Sequence, residues 1–265
     1  MTKRRLKKLL IRWSFIIVVF STLLYGHKTV IRYGYKAYRY IQQNRNQRNL
    51  VNHVNFPQAY SVHGIDISRY QPDLDWSTLK AVDVDNDTVQ FQFVMIKATE
   101  GLFWEDPTFE DNWNDARKYK VIRGAYHYFK PSASAKLQAK NFINSVDLKS
   151  GDLPPVVDIE EMGKSNKKEL VTSLKTFISL IEKEYGVKPI IYSNINFIED
   201  YLADDFSNYK FWVAHFYVDD LKISSGIKWL FWQHHDKAHL LHSSANYDVN
   251  VFNGSSSDLK KILVR

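Results

Sequence analysis

Short apolar segments alternate with amphipathic segments along most of the chain, beginning at about residue 61. Apolar runs bounded by turn residues are typical of buried strands, whereas the amphipathic segments have helical spacing. The pattern predicts strands at 63–68, 91–97, 121–129, 155–160, 189–193, 211–215, 229–233 and 247–251, and helices at 75–80, 108–119, 134–146, 165–185 and 197–202. Such alternation requires a parallel sheet with helices outside, and about eight strands in roughly 205 residues favour a barrel over an open sheet. The predicted fold class is therefore α/β, a TIM-like (β/α) barrel with fewer helices in its C-terminal part.

Polar and aromatic side chains recur where the predicted strands end. In β/α barrels the active site gathers at the C-terminal ends of the strands. Side chains at that level should therefore lie close together although they are far apart in the chain. The residues concerned are Asp66, Lys97, Glu100, Tyr128, Asp158, Glu160, Tyr192, Trp212, Gln233 and Asp248.

Two of these carboxylates stand in one short strand, separated by a single isoleucine. Because side chains alternate along a strand, Asp158 and Glu160 should project to the same side, with Cα atoms roughly 6.6 Å apart. A pair at that spacing suits glycosidic bond cleavage, in which one carboxyl protonates the leaving oxygen and the other stabilises positive charge on the sugar. Repulsion and partial burial would raise one pKa. Taken alone, the stretch is equally compatible with a strand that ends in a solvated acidic loop.

The basic charge of the chain belongs to its N-terminal fifth. Residues 1–50 contain 12 Lys and Arg and no Asp or Glu, so 24 of 36 basic and all 29 acidic residues fall in 51–265, a net charge of −5. A mildly acidic body argues against nucleic acid as its partner, because phosphate binding needs a basic face. Cysteine is absent, which excludes a disulfide scaffold, a Cys-based zinc site and a thiol nucleophile.

The N-terminal region predicts a membrane anchor. Residues 1–8 form a basic cytoplasmic tail, and 9–26 an apolar transmembrane signal-anchor in which Arg12 reaches the headgroups. The positive-inside rule then sends a Tyr-rich basic stalk, 27–56, and the catalytic barrel, 57–265, to the outer face of a bacterial cell membrane. A cleaved signal peptide is the alternative. It is disfavoured because a small-x-small cleavage pattern is missing near the end of the apolar run.

Eight segments, in order from about residue 61 to 253, resemble glycoside hydrolase family 25, the lysozymes of Chalaropsis type. They are 63–68 (HGIDIS), 93–101 (FVMIKATEG), 124–129 (GAYHYF), 155–160 (PVVDIE), 191–194 (IYSN), 211–214 (FWVA), 232–233 (WQ) and 247–250 (YDVN). The resemblance implies an irregular β/α barrel that hydrolyses the β-1,4 bond between N-acetylmuramic acid and N-acetylglucosamine in peptidoglycan, without a metal or other cofactor.

The resemblance also assigns roles to residues. Glu160 matches the proton donor of the family, Asp158 the partner that orients or stabilises the sugar, and Asp66 and Asp248 two further acidic positions in the cleft. Six other residues are expected to contact substrate, namely Lys97, Glu100, Tyr128, Tyr192, Trp212 and Gln233. One departure is the stretch after Ala214, where a tyrosine is expected sooner than Tyr217.

Two other functions fit the same residues. One is another N-acetylhexosamine hydrolase, such as a chitinase-like barrel, which also uses an Asp-x-Glu pair. The other is a non-catalytic glycan-binding barrel, against which the presence of all four acidic positions argues. The histidines at 234, 235, 239 and 242 fit no zinc motif, and a solvated loop is the expectation for them. Lys97 fits a buried ion pair as well as a site residue.

Overall fold

The computed structural model describes residues 54–71, 74–82, 88–240, 243 and 245–265. The predicted cytoplasmic tail, the signal-anchor at 9–26 and nearly all of the stalk lie outside these residues. Within the described ranges, no helix combines the length and apolar character needed to cross a membrane.

Ten strands and five helices are present in the described part of the chain. The strands are β1 (His63–Ile67), β2 (Lys80–Val82), β3 (Thr88–Glu100), β4 (Trp104–Glu105), β5 (Ile122–Tyr128), β6 (Val156–Asp158), β7 (Ile190–Asn194), β8 (Lys210–Ala214), β9 (Lys228–His239) and β10 (Asn246–Phe252). The helices are α1 (Phe109–Lys118), α2 (Ala135–Ser145), α3 (Lys167–Tyr185), the short α4 (Ile195–Phe197), which continues into a π-helical turn (Ile198–Leu202), and α5 (Ser256–Lys261).

Eight of the ten strands close into a barrel, as the alternation predicts. Strand β1 pairs in parallel with β3, and parallel pairing continues through β5, β6, β7, β8 and β9. The remaining strand, β10, is antiparallel to both β9 and β1 and completes the closure. The expectation of a wholly parallel sheet is wrong at this point, because only a short loop joins β9 to β10, and a parallel return needs a longer crossover. Strands β2 and β4 pair only with β3.

The helices that were predicted by spacing form largely where expected. Helix α3 begins with a capping box between Asn166 and Glu169 and ends at Gly186, whose φ of 69° is the left-handed conformation that favours glycine. The predicted helix at 75–80 is absent. There the Asp75 carboxylate accepts hydrogen bonds from the backbone N–H and the hydroxyl of Ser77. This local turn competes with helix formation, and the chain then enters β2.

Alternation along the barrel strands separates an inner from an outer core. Phe93 and Met95 on β3 pack in a cluster within the barrel. Val94, which stands between them, packs with residues from the helices. The backbone of β1 approaches the inner cluster so closely that a Cβ atom on Gly64 would lie 2.4 Å from the Phe93 ring. Glycine at this position therefore permits the packing of the barrel interior.

One outer face of the barrel is covered by the N-terminal segment instead of by a helix. Phe56, which the prediction assigns to the stalk, is buried with its ring centroid 5.3 Å from His63 and 5.7 Å from His234. His234, His235 and His239 lie in β9, and the first two are buried. The expected solvated loop is therefore wrong for His234 and His235, whereas His239 is exposed as expected but belongs to a strand. His242 lies outside the described residues. The described residues contain no group of three or more potential metal ligands.

Candidate active site

Barrel closure brings two acidic residues from opposite ends of the chain into contact. Asp66 on β1 is the register partner of Asp248 on β10, and their carboxyl groups share a hydrogen bond. Asp66 is buried, and Asp248 is partly buried. Two carboxyls this close cannot both ionise without strong repulsion, so they hold a proton between them.

The surroundings of the pair determine which carboxyl is charged. Burial raises the pKa of both groups, and the neighbouring Asp66 raises that of Asp248 further. Asp66 Oδ2 accepts hydrogen bonds from Gln233 Nε2 at 2.8 Å and Asn250 Nδ2 at 2.7 Å. Because donors stabilise the ionised form, the negative charge belongs on Asp66 and the shared proton on Asp248.

A chain of hydrogen bonds continues on both sides of Asp66. On one side Tyr192 Oη donates to Gln233 Oε1 at 2.7 Å. On the other side Trp212 Nε1 donates to Asn250 Oδ1 at 2.7 Å. The chain closes on itself through the aromatic rings, since the centroids of Tyr192 and Trp212 are 4.4 Å apart. Three predicted sugar contacts are therefore fixed in position around one buried carboxylate.

The second carboxyl pair lies at the end of β6. The strand itself ends at Asp158, whose backbone carbonyl accepts from Phe129 N at 2.7 Å, and Ile159 N donates to Tyr192 O at 3.0 Å. Glu160 therefore stands beyond the strand, on the same side as Asp158. The Asp158 side chain is buried, Glu160 is exposed, and the two carboxyls are hydrogen-bonded.

Burial and repulsion also keep a proton on this second pair. Burial raises the pKa of Asp158 well above its ordinary value, and the nearby charge of Glu160 raises it further. Although part of Glu160 reaches solvent, the protein around its carboxyl lowers the hydration of that group and raises its pKa, while the hydrogen bond from Asp158 and the charge of Lys97 oppose the rise. In the free protein the proton therefore rests mainly on Asp158 and is directed at Glu160. Asp158 Oδ1 is buried and has no hydrogen-bond partner among the described residues.

Cations and aromatic rings form the rim beside Glu160. Lys97 Nζ lies 2.7 Å from Glu100 Oε2 and 5.0 Å from the centroid of the Tyr128 ring. Lys130 Nζ lies 4.3 Å from the same centroid, 3.3 Å from Glu100 and 3.4 Å from Glu161. Because these charges pair with one another, they hold the predicted contacts Lys97, Glu100 and Tyr128 in one arrangement.

All ten residues predicted for the site lie in these connected groups. Others escaped the sequence prediction, notably Asn250, Lys130 and Asp236. Asn250 could have been found, because it stands two residues after Asp248 and therefore points to the same side of β10. Asp236 accepts a hydrogen bond from the hydroxyl of Tyr217, which adopts a left-handed backbone conformation with φ of 58°. Asp236 also contributes to the raised pKa of Asp248, so the irregular stretch after Ala214 reaches the site by this route.

The chain is similar to known proteins over most of its length. It matches the family model of glycosyl hydrolases family 25 over residues 65–242. It is 42% identical over 207 residues to the uncharacterized protein YegX of Escherichia coli K12, a match that covers 78% of this chain and 75% of YegX. It is 32% identical over 212 residues to lysozyme M1 of Streptomyces globisporus, covering 75% of this chain and 70% of the lysozyme. A family 25 glycosyl hydrolase structure from Bacillus anthracis gives a TM-score of 0.71 at 29% identity, with coverage of 80% and 97%.

A closed β/α barrel with two hydrogen-bonded carboxyl pairs at one end, on a chain with these relatives, is a glycoside hydrolase. More specifically, the chain belongs to glycosyl hydrolases family 25, whose domain spans the barrel from β1 to the loop after β9.

Proposed function

We propose that this protein is a muramidase that hydrolyses the β-1,4 bond between N-acetylmuramic acid and N-acetylglucosamine in peptidoglycan. The observation that carries the proposal is the hydrogen-bonded Asp158–Glu160 pair, which retains a proton because one member is buried. The similarity to lysozyme M1 supports peptidoglycan as the substrate.

In the proposed reaction Glu160 is the acid. A bound sugar would displace water from Glu160, which raises its pKa further and draws the shared proton from Asp158. Glu160 then protonates the glycosidic oxygen as its bond to C1 of N-acetylmuramic acid breaks. The leaving sugar departs as an alcohol. Water supplies the hydroxyl at C1 and returns its other proton to the carboxyl pair, so that the new reducing end is N-acetylmuramic acid.

Asp158 would orient the reacting sugar through its N-acetyl group. Its Oδ1 atom is a buried acceptor without a partner in the described protein, and leaving such an atom unpaired is costly. An amide N–H of the substrate would satisfy it. After proton transfer Asp158 is ionised, and its negative charge then opposes the positive charge that develops at C1.

Asp66 and Asp248 would serve as the fixed negative side of the cleft. Asp66 carries one negative charge, which the amides of Gln233 and Asn250 stabilise. The proton shared with Asp248 would be available to hydrogen-bond with polar groups of the sugar. The partly exposed ring of Tyr128 would stack on or border a sugar, since aromatic side chains combine a large apolar face with a polar tip. Tyr192 and Trp212, expected from the sequence to contact sugar, are 8% and 2% exposed, so they would support the cleft from beneath.

The activity is tested by digestion of purified peptidoglycan with the full chain in mild detergent. Reducing ends are labelled by borohydride reduction, and N-acetylmuramic acid is the expected product. Reducing N-acetylglucosamine would change the assignment to a glucosaminidase, and cleavage of chitin oligomers alone would favour a chitinase-like enzyme. Glu160→Gln should lower kcat by a factor on the order of 10²–10⁴.

Glu161→Gln provides the matched control. Glu161 is the neighbouring carboxylate, but it pairs with Lys130 at 3.4 Å on the exposed rim. Near-normal activity in this variant, beside loss in Glu160→Gln, would assign the acid to position 160. Equal activity in Glu160→Gln and the unmodified chain would show that Glu160 is not the acid.

The proposal includes attachment to the outer face of a bacterial cell membrane, for local remodelling of the wall. It rests on the basic residues at 1–8 and the apolar stretch at 9–26. Cell fractionation should recover the intact chain in carbonate-washed membranes, and protease added to spheroplasts should digest the barrel. A shortened chain in the soluble fraction would favour the cleaved signal peptide.

A further inference from the structure

Arg69 is held in a fixed position at the mouth of the barrel, two residues after β1 ends. Its guanidinium carbon lies 4.9 Å from the centroid of the Tyr70 ring and 5.0 Å from that of Trp104. Nη2 donates to Tyr70 Oη at 2.9 Å, and the backbone N–H of Arg69 donates to Asp106 Oδ2 at 3.1 Å. The side chain is exposed, yet two rings and one side-chain hydrogen bond restrict it, which reduces the entropy cost of binding a ligand.

Arg69 differs from the other cations of the rim in forming no ion pair with a carboxylate of the described residues, although the charges of Asp106 and Glu100 act on it. Lys97 and Lys130 both form ion pairs with Glu100, at 2.7 and 3.3 Å. No carboxylate of the described residues lies within ion-pair distance of the Arg69 guanidinium. Arginine presents donors in a planar fork that matches a carboxylate. Its charge is therefore available to an anion from outside the protein.

The surface next to Arg69 is unusually apolar for a part of the protein in contact with water. Tyr70, which contacts Arg69, is 69% exposed, and Phe103, which precedes Trp104 in the chain, is 80% exposed. These are the two highest values among the large hydrophobic side chains described. We call Arg69, Tyr70, Phe103 and Trp104 the Arg69 platform. Exposed aromatic side chains around one arginine are typical of binding surfaces rather than of solvated ones.

The Arg69 platform is continuous with the catalytic carboxyl groups. Lys97 Nζ lies 5.1 Å from the centroid of the Trp104 ring, and its charge lowers the pKa of both Asp158 and Glu160. Arg69 also follows Asp66 by three residues. A group attached to a sugar bound at Glu160 can therefore extend over Trp104 to Arg69.

We propose that the Arg69 platform binds a carboxylate-bearing peptide substituent of the glycan strand, with the Arg69 guanidinium on the carboxylate and the aromatic rings against the peptide. The inference rests on the proposed function, and it makes the enzyme selective for strands that carry charged peptides. A bare amino-sugar chain has neither the anion nor the peptide. It would therefore bind at the two carboxyl pairs without contacting the Arg69 platform.

The test compares two forms of one substrate. In the first form the peptide carboxylates are intact, and in the second a carbodiimide and ammonia have converted them to amides. For the full chain in detergent we expect kcat/KM to fall on the order of tenfold on the amidated form, as is typical when a charge-assisted bidentate contact is lost. Arg69→Gln should show a similar fall on the native form and little further change on the amidated form.

Arg117→Gln is the matched control. Arg117 is also an exposed arginine, but it lies in α1 and is 3.8 Å from Asp152. It should retain the full difference between the two substrates. If Arg69→Gln lost activity equally on both forms, or lost none, the proposal would be overturned.

Failure of the muramidase proposal would look different. Binding of the Glu160→Gln chain to native and amidated sacculi measures the platform without catalysis, and tighter binding to native sacculi that is abolished by adding Arg69→Gln supports it. Absence of cleavage with such binding would reject the catalytic proposal alone. Cleavage without any dependence of binding on Arg69 would reject the platform alone.

Discussion

Asp66 and Asp248 lie opposite each other across the antiparallel pair β1–β10, and a hydrogen bond joins their carboxyl groups. The relationship exists only because the barrel closes, since the two residues stand near opposite ends of the folded chain. A buried pair of this kind costs folding free energy when both members ionise. It should therefore be visible in the stability of the protein as well as in its activity.

Asp248→Asn should reduce the loss of stability at alkaline pH. The folded-state pKa of each carboxyl is raised above its unfolded value, so the stabilisation is complete at acidic pH and is lost as pH rises through the raised pKa values. An asparagine amide can still donate to Asp66 but cannot ionise. We expect the variant to lose less of its free energy of unfolding between pH 5 and 9 than the wild type, by about 1–2 kcal/mol.

Urea unfolding at the two pH values measures this difference. Asp204→Asn is the control, because Asp204 is exposed and outside the site, and it should keep the wild-type pH dependence. Identical slopes for all three proteins would contradict the assignment of the proton to the Asp66–Asp248 pair.

Asn250→Ala should impair the site without removing any group expected to touch sugar. The substitution leaves Trp212 Nε1 without its acceptor and removes one of two amide donors from Asp66. Each unsatisfied buried group costs about 1–3 kcal/mol. We expect a comparable loss of stability and a fall in kcat, with KM less affected because the sugar contacts remain. Asn253→Ala, next to the same strand but exposed, should change neither stability nor kcat. A rise in KM with kcat unchanged in Asn250→Ala would instead make Asn250 a sugar contact.

Local patterns predicted most of the barrel and the level at which its site forms. All eight strands predicted from runs of apolar residues are present in the barrel. The helix that ends at Gly186 was recognisable from its apolar face and its C-terminal glycine. Position at a strand end was sufficient to collect Asp66 and Asp158, whereas Asp248 stands near the start of β10 and reaches the same level because that strand is antiparallel. Such patterns work because strand and helix periods determine which face a side chain occupies.

Long-range packing accounts for what the sequence did not reveal. His234 resembled a loop residue because its burial depends on Phe56, which comes from a segment far away in the chain. The predicted helix at 75–80 failed because a side chain bonded to the backbone of Ser77. The Arg69 platform depends on the contact between Arg69, after β1, and Trp104, in β4. Residue spacing gives no signal of that contact.

His127 should make the fold sensitive to acid. It is buried, and burial lowers its pKa to about 4, while an unfolded histidine titrates near 6.5. Because the unfolded chain binds the proton first, stability is lost as pH falls from about 6.5 to 4, by up to roughly 3 kcal/mol. His127→Asn keeps a partner for Thr99 Oγ1, which lies 2.7 Å from the ring. It should be less stable at neutral pH but lose less on acidification; an unchanged acid dependence would show that another group titrates.

Asp158→Asn and Glu160→Gln should separate the roles of the second carboxyl pair through the pH dependence of kcat/KM. The acid must hold its proton, so activity falls as pH rises through its pKa, which partial loss of hydration raises for Glu160. Asp158 must lose its proton during the reaction, so activity also falls at low pH.

Asp158→Asn should therefore lower kcat on the order of 100-fold. It should also abolish the fall in activity at low pH (the acidic limb) and keep the fall at high pH (the alkaline limb). Residual activity of Glu160→Gln should lack the alkaline limb. If the alkaline limb instead disappeared in Asp158→Asn and persisted in Glu160→Gln, Asp158 would be the acid and Glu160 its helper.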